Sequence, residues 1–247
     1  MSNPVSGILY FIGGIKIIFR KGIRRFVLIP LLINILLFSA IIWFSANQFD
    51  SLMTWLMPEL PEWLQFLEWL FWILFAISAS LILFFTFTLL ANLVGAPFNG
   101  LLAEVVELHL TGQSSDNDGG WKKMLVEIGP TMVDEVKKLV YMVTWSIPFL
   151  LLFLVPVINV IAPFTWLAFS AWMLTIEYAD YPMGNHGIRS AEQKKLLGKK
   201  RFLTLGFGSA VTIATMTPIL NFLVMPASVA GATMMWVKQL KNLHEDS

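Results

Sequence analysis

The chain has 247 residues, of which 57% are hydrophobic, 14% aromatic and 13% charged. Soluble globular domains carry about a quarter charged residues, so this composition excludes an ordinary soluble domain. The formal net charge of +1 says little about partners, and the absence of Cys excludes disulfides, thiolate chemistry and Cys-based metal sites.

Four long uncharged runs account for this composition, and each exceeds the roughly 18 to 20 apolar residues that cross about 30 Å of hydrocarbon. They cover residues 26–46, 69–103, 139–176 and 202–237. The sequence therefore predicts an all-α integral membrane protein with a single membrane domain over 1–247. We expect two long transmembrane helices and two Pro-centred helical hairpins that partly penetrate the bilayer.

Residues 1–25 predict an interfacial amphipathic segment, because cations surround a Gly-interrupted apolar stretch. The segment ends in Gly22, Ile23, Arg24 and Arg25, directly before the first uncharged run. If the first transmembrane helix begins there, free N–H groups at the last three residues, the helix dipole and two guanidinium groups would suit an oxyanion. The alternative is that the arginines only orient the membrane helix.

The first uncharged run is predicted to cross the membrane outward and the second to cross back, with Pro58 and Pro61 marking the turn. The loop 47–68 contains acidic residues and neither Lys nor Arg. All 17 cations lie in the other connecting segments, which are 1–25, 104–138, 177–201 and 238–247. The positive-inside bias therefore places 47–68 outside and the other segments in the cytoplasm.

The segment 104–138 is predicted to form cytoplasmic helices and a flexible loop, with Thr131 opening one of the helices. Glu104, Glu107 and His109 share one helical face at the membrane exit. They could pair with Lys or Arg or relay protons, and pairing is the preferred interpretation.

Runs 139–176 and 202–237 have both ends in the cytoplasm, so each must enter the membrane and return. Half of each run, less its turn, leaves roughly 22–25 Å of helix at 1.5 Å per residue, which is short of the 30 Å core. We therefore expect hairpins that penetrate partway. Two complete but thin transmembrane pairs are the alternative.

Both of these runs carry Pro-x-x-Asn followed by a second Pro near the middle, which suggests an internal repeat. Paired Pro-interrupted segments point to a transporter binding region. The simpler interpretation is that Pro makes each turn and Asn caps it. The candidate pathway or gating residues are Asn34, Glu104, Glu107, Asn159, Pro163, Asn221 and Pro226.

In the basic segment 177–201, Ser190 and Gln193 have the spacing of a capping box, which predicts a short helix. Glu177, Asp180 and His186 resemble an acid–base cluster. The preferred interpretation is that the two carboxylates pair with the basic run that follows. The sequence has no phosphate-binding loop and no His-Glu-x-x-His pair, so neither a cofactor nor a metal is expected.

Three motifs resemble the bacterial sulfate permease family CysZ: GIRRFVLIPLLIN at 22–34, GAPFNGLLAEVVE at 95–107 and EYADYPMGNHG at 177–187. The resemblance extends over nearly the whole chain. It implies a multi-pass inner-membrane protein with two long transmembrane helices and two partial hairpins, which imports sulfate for cysteine biosynthesis. It also implies a homo-oligomer that binds sulfate at a Gly-Leu-Arg-type motif, which falls on 22–25 with Ile in place of Leu.

The expected function is therefore sulfate transport across the bacterial inner membrane. The expected partners are the sulfate ion, membrane lipids and further copies of the chain, without nucleic acid and without a catalytic residue. An accessory or structural membrane subunit is the alternative, and a membrane-embedded enzyme that uses Glu177, Asp180 and His186 is a weaker one.

Overall fold

A computed structural model describes residues 3–56, 68–112 and 121–245, and the regular structure within those ranges is helical throughout. The all-α prediction is therefore confirmed. The helices are α1 (Pro4–Ile18), α2 (Arg25–Leu56), α3 (Glu68–Thr111), α4 (Trp121–Leu152), α5 (Ala162–Asn185), α6 (Ser190–Lys199), α7 (Arg201–Thr215), α8 (Pro218–Met235) and α9 (Lys241–Glu245). A 3₁₀ turn at Ile158–Val160 precedes α5, and a π-helical turn at Trp236–Leu240 joins α8 to α9.

The chain forms two compact units, one of Met1–Val27 with Asn99–Ser247 and one of Leu28–Phe98. Most of α2 and α3 belongs to the second unit. With 32 and 44 residues these helices measure about 48 and 66 Å at 1.5 Å per residue, so the prediction of two long helices is confirmed. The predicted turn at Pro58 and Pro61 lies outside the described residues.

Within the described ranges, two helical segments have the length and composition of membrane spans. Arg25–Phe44 has a mean hydropathy of 2.6, and none of its residues is buried within the protein. Leu220–His244 has a mean hydropathy of 1.5, and 56% of it is buried. The first segment exposes large apolar side chains along its whole length, which suits a hydrocarbon environment better than water.

The core of the first unit forms where α1 packs against α7 and α8. The helices approach closely because glycines face backbone atoms: a Cβ at Gly7 would overlap the Leu203 carbonyl, and a Cβ at Gly14 would overlap the Ala227 carbonyl. Phe11 and Phe207 meet edge to face, with ring centroids 6.4 Å apart. The sequence predicted an interfacial position for α1 from its cations and missed this packing.

The first predicted hairpin consists of α4, a turn at 153–161 and α5. Val157 has a positive φ of 72°, and Pro156 and Asn159 both lie in the turn, with Pro163 in the first turn of α5. The predicted Pro and Asn residues therefore do mark the reversal. Phe149 and Phe169 stack across the pair with centroids 4.9 Å apart. The uncharged parts, 139–152 and 162–176, measure about 21 and 22 Å at 1.5 Å per residue. Each is shorter than the roughly 30 Å hydrocarbon core.

The second predicted hairpin turns at 216–217, between α7 and α8, and not near Pro226. Pro218 begins α8, and Pro226 lies inside that helix. The predicted equivalence with the first hairpin is therefore wrong, because Pro163 begins a helix whereas Pro226 lies inside one. The early turn makes the limbs unequal, since 218–237 measures about 30 Å at 1.5 Å per residue and α7 only about 22 Å.

Two predicted helix starts are also corrected. One helix, α4, runs from Trp121 through Thr131, so Thr131 does not open a helix. The short helix at Ser190 is present, but Arg189 is its N-cap and the Ser190 hydroxyl is buried with no hydrogen-bond partner among the described residues. The Gln193 amide donates to the Ile188 carbonyl at 2.9 Å, so the pair forms no capping box.

Candidate functional site

A tight turn between α1 and α2 carries the predicted anion-binding residues. Gly22 has φ 92°, a left-handed conformation that costs other residues about 1–2 kcal/mol, and the space beside it is open. The next side chain, Ile23, is only 2% exposed and belongs to the apolar core of its unit. The core therefore fixes the turn through Ile23, while its neighbours Arg24 and Arg25 remain exposed.

The backbone amides of the turn are used differently from the prediction. The N–H groups of Ile23 and Arg24 both donate to the Arg20 carbonyl, at 3.2 and 3.1 Å, so the expectation of free amides at these two residues is wrong. Helix α2 begins at Arg25. Within the part of the chain that the structure describes, the amides of Gly22 and Arg25 have no backbone acceptor. These two N–H groups are the ones left for a ligand.

The cationic side chains give the turn its charge. Arg24 and Arg25 form no ion pair with a carboxylate in the described ranges, and the Arg25 guanidinium lies 4.9 Å from the centroid of the Phe26 ring. Arg20 Nη1 donates to His109 Nε2 at 2.7 Å, a contact that the sequence does not predict because the two residues are far apart in the chain. The turn therefore presents two guanidinium groups without a counter-ion, and such groups match the geometry of oxyanions.

A second polar cluster surrounds Glu107, near the end of α3. His186 Nε2 donates to both carboxylate oxygens at 2.8 and 3.0 Å, and Lys241 Nζ donates at 3.3 Å. Burial raises the pKa of Glu107, but the hydrogen bonds and charges of His186 and Lys241 lower it by more, and the net pKa lies below its ordinary value. The carboxylate is thus held ionised, and the preferred prediction of pairing is confirmed for Glu107.

The predicted acid–base cluster is divided between two places. Lys138 Nζ, on α4, binds Asp180 at 2.7 Å and Glu177 at 3.4 Å, whereas His186 turns away to Glu107. The prediction that both carboxylates pair with the basic run after them is corrected, because their ion-pair partner is Lys138 on the neighbouring helix. The three side chains do not form one catalytic group.

The remaining candidate pathway residues lie in separate parts of the fold. Asn34 belongs to the second compact unit, and its side-chain oxygen is buried with no hydrogen-bond partner among the described residues. Asn159 and Pro163 are exposed at the α4–α5 turn, Asn221 is exposed in the first turn of α8, and Pro226 and Glu104 are half-buried. No group of three or more His, Asp or Glu side chains in the described ranges is placed to hold a metal.

Together these features define a class: an all-helical protein with membrane-length apolar helices and an exposed cationic turn suited to an anion. Similarity to known proteins identifies the family within this class. The family model described as "Sulfate transporter CysZ/Etoposide-induced protein 2.4" matches residues 10–226, and the chain belongs to this family.

Several relatives extend this similarity over nearly the full length. A protein of Pseudomonas fluorescens (strain Pf0-1) named "Sulfate transporter CysZ" is 42% identical over 97% of this chain and 96% of its own length. One with the same name from Pseudomonas aeruginosa (strain LESB58) is 42% identical over 95% of this chain and 96% of its own. One from Pectobacterium atrosepticum is 40% identical over 96% of this chain and 86% of its own.

Proposed function

We propose that this protein is a sulfate permease of the bacterial inner membrane that supplies sulfate for cysteine biosynthesis. The full-length relatives named for sulfate transport support the substrate. The observation on this chain that carries the proposal is the pair of exposed guanidinium groups of Arg24 and Arg25, which no described carboxylate neutralises. A transporter is favoured over an enzyme because the family is a transporter family and the acid–base candidates are paired elsewhere.

The proposed sulfate site is Gly22, Ile23, Arg24 and Arg25, with roles adjusted to the geometry of the turn. Arg24 and Arg25 bind the dianion through their guanidinium groups, and the amides of Gly22 and Arg25 supply further donors at the start of α2. Ile23 contributes by its buried side chain, which anchors the turn, and not by its N–H.

The proposed topology has α2 and α3 as complete transmembrane helices and both helical pairs as hairpins that enter the bilayer from the cytoplasmic side. The short limbs of the α4–α5 pair support partial penetration. The longer α8 brings one limb of the second pair close to the full thickness. Sulfate passes through a homo-oligomer in contact with membrane lipids, and Asn34, Asn159 and Asn221 are each candidate uncharged donors for it.

Radiolabelled sulfate uptake into proteoliposomes, together with calorimetric sulfate binding, tests the proposal. Arg24→Ala with Arg25→Ala is expected to weaken binding at least about 100-fold, because two charge-assisted contacts of roughly 1.5–3 kcal/mol each are lost. The matched control is Lys195→Ala with Lys199→Ala, which removes the same charge from exposed positions on α6.

Equal loss in the two double variants would mean that only overall charge matters. If the purified wild type itself binds no sulfate and transports only when another component is added, the accessory-subunit alternative replaces the permease.

A further inference from the structure

An aromatic groove lies on the surface of the α4–α5 pair and is closed at its base by α7. It has a volume of about 310 Å³, at the small end of ligand pockets. Its walls are almost entirely apolar. They are formed by Tyr141, Trp145, Phe149, Thr165, Ala168, Phe169, Trp172 and Leu205. The groove belongs to the first proposed hairpin and is separate from the cationic turn before α2.

The groove has one polar end and one apolar end. At the polar end the Trp172 indole N–H donates to the Tyr141 hydroxyl at 3.1 Å, which satisfies the indole. Eight residues further along α4, about 12 Å at 1.5 Å per residue, Phe149 stacks on Phe169 and forms the apolar end. Tyr and Trp side chains of this kind concentrate where a membrane protein meets the headgroup layer.

A lysine marks the polar end. Lys194 Nζ, on α6, lies 4.2 Å from the centroid of the Tyr141 ring, which forms part of the polar end of the groove. Lys194 is half-buried and forms no ion pair with a carboxylate in the described ranges. The groove thus has a cation beside its polar end, and its aromatic walls lead from there toward the apolar turn of the hairpin.

We propose that this groove binds one anionic phospholipid, with an acyl chain between α4 and α5 and the phosphate at Lys194. The positive charge of Lys194 at the polar end complements an anionic headgroup. The direction of the groove matches a lipid whose acyl chain points into the bilayer. A neutral apolar ligand would have no use for the lysine. The proposal is independent of sulfate binding at Gly22–Arg25.

Native mass spectrometry of the purified protein, titrated with phosphatidylglycerol or with phosphatidylcholine, measures the lipid preference. Lys194→Gln is expected to lower the preference for phosphatidylglycerol about fivefold, the factor for one lysine near an anionic surface. Lys195→Gln is the matched control, because it removes the same charge from the same helix at an exposed position, whereas Lys194 lies against the Tyr141 ring. Its preference should stay within twofold of wild type.

A second variant tests the acyl chain. Ala168→Trp places a large ring in the groove from an exposed position, so the helices need not move apart. Phosphatidylglycerol with a photoactivatable acyl chain should label peptides containing 141–149 or 165–172 in the wild type and lose most of that label in Ala168→Trp. Equal loss of preference in Lys194→Gln and Lys195→Gln, or unchanged labelling in Ala168→Trp, would overturn the proposal.

Discussion

The buried carboxylate of Glu107 supports a quantitative prediction. Its side chain is 3% exposed and accepts hydrogen bonds from His186 and Lys241, whose own side chains remain 19% and 32% exposed. Breaking a buried ion pair costs about 3–5 kcal/mol when the remaining charge is cut off from water. Since water still reaches both partners, we expect the lower end, about 3 kcal/mol, for Glu107→Gln.

Thermal unfolding of the detergent-purified protein measures this loss. About 3 kcal/mol corresponds to a fall of roughly 6–12 °C in Tm for a chain of this size. Glu192→Gln is the matched control, because Glu192 also binds a histidine, His244 at 2.9 Å, but both side chains are well exposed. Exposed pairs contribute about 0–1 kcal/mol, so this control should lose no more than a few degrees.

The stabilisation by the Glu107 carboxylate depends on pH. The pKa of Glu107 in the folded protein lies below the 4.5 of an unperturbed glutamate, so its stabilisation is complete above about pH 4.5 and is lost as the pH falls through the lowered pKa. The Tm difference between wild type and Glu107→Gln should therefore shrink on acidification. A difference that is small at pH 7, or that grows below pH 4, would refute the reasoning.

Three further predictions concern other contacts. Lys138→Met leaves the half-buried Asp180 without its cation and should lower stability by about 1–3 kcal/mol. Thermal unfolding measures this loss, and a Tm near that of the wild type would contradict the prediction. Gly208→Ala forces a Cβ against the Ala171 carbonyl and should lower stability by about 1–3 kcal/mol through overpacking. Gly198→Ala, which lies in a helix and faces open space, should leave Tm the same or slightly higher. Gly22→Ala should lower stability by about 1–2 kcal/mol because of the positive φ at this position, and calorimetry should show weaker sulfate binding. Unaltered sulfate binding would mean that the site does not depend on the geometry of the turn.

The helices were predictable because uncharged length and charge position are local properties of the sequence. The first hairpin was located from Pro156 and Asn159, since a proline in an apolar run favours a reversal when the next residues cannot continue the helix. The same residue types in the second run gave a wrong position for the turn. Pro226 is accommodated inside α8, and the chain reverses earlier, before Pro218.

The ion pairs were less predictable than the helices. Glu107 meets His186 and Lys241, and Lys138 meets Asp180, across sequence separations at which periodicity carries no information. Local spacing correctly placed Glu177 and Asp180 on one helical face but could not name the residue opposite them. The cationic turn is visible in the sequence from Gly22 and the arginines, but its amide hydrogen bonds depend on the Arg20 carbonyl, which only the folded turn brings into range.

The packing of α1 against α7 and α8 also constrains how the protein is made. The helix that leads into the cationic turn is synthesised early, but the glycine-faced partners that hold it are synthesised late. The long-range contacts that hold α1 must therefore wait for the last hairpin. A chain that ends before α7 would leave α1 and the cationic turn after it without these packing partners. The sensitivity of the cationic turn to protease should therefore report whether α7 and α8 have been synthesised and packed.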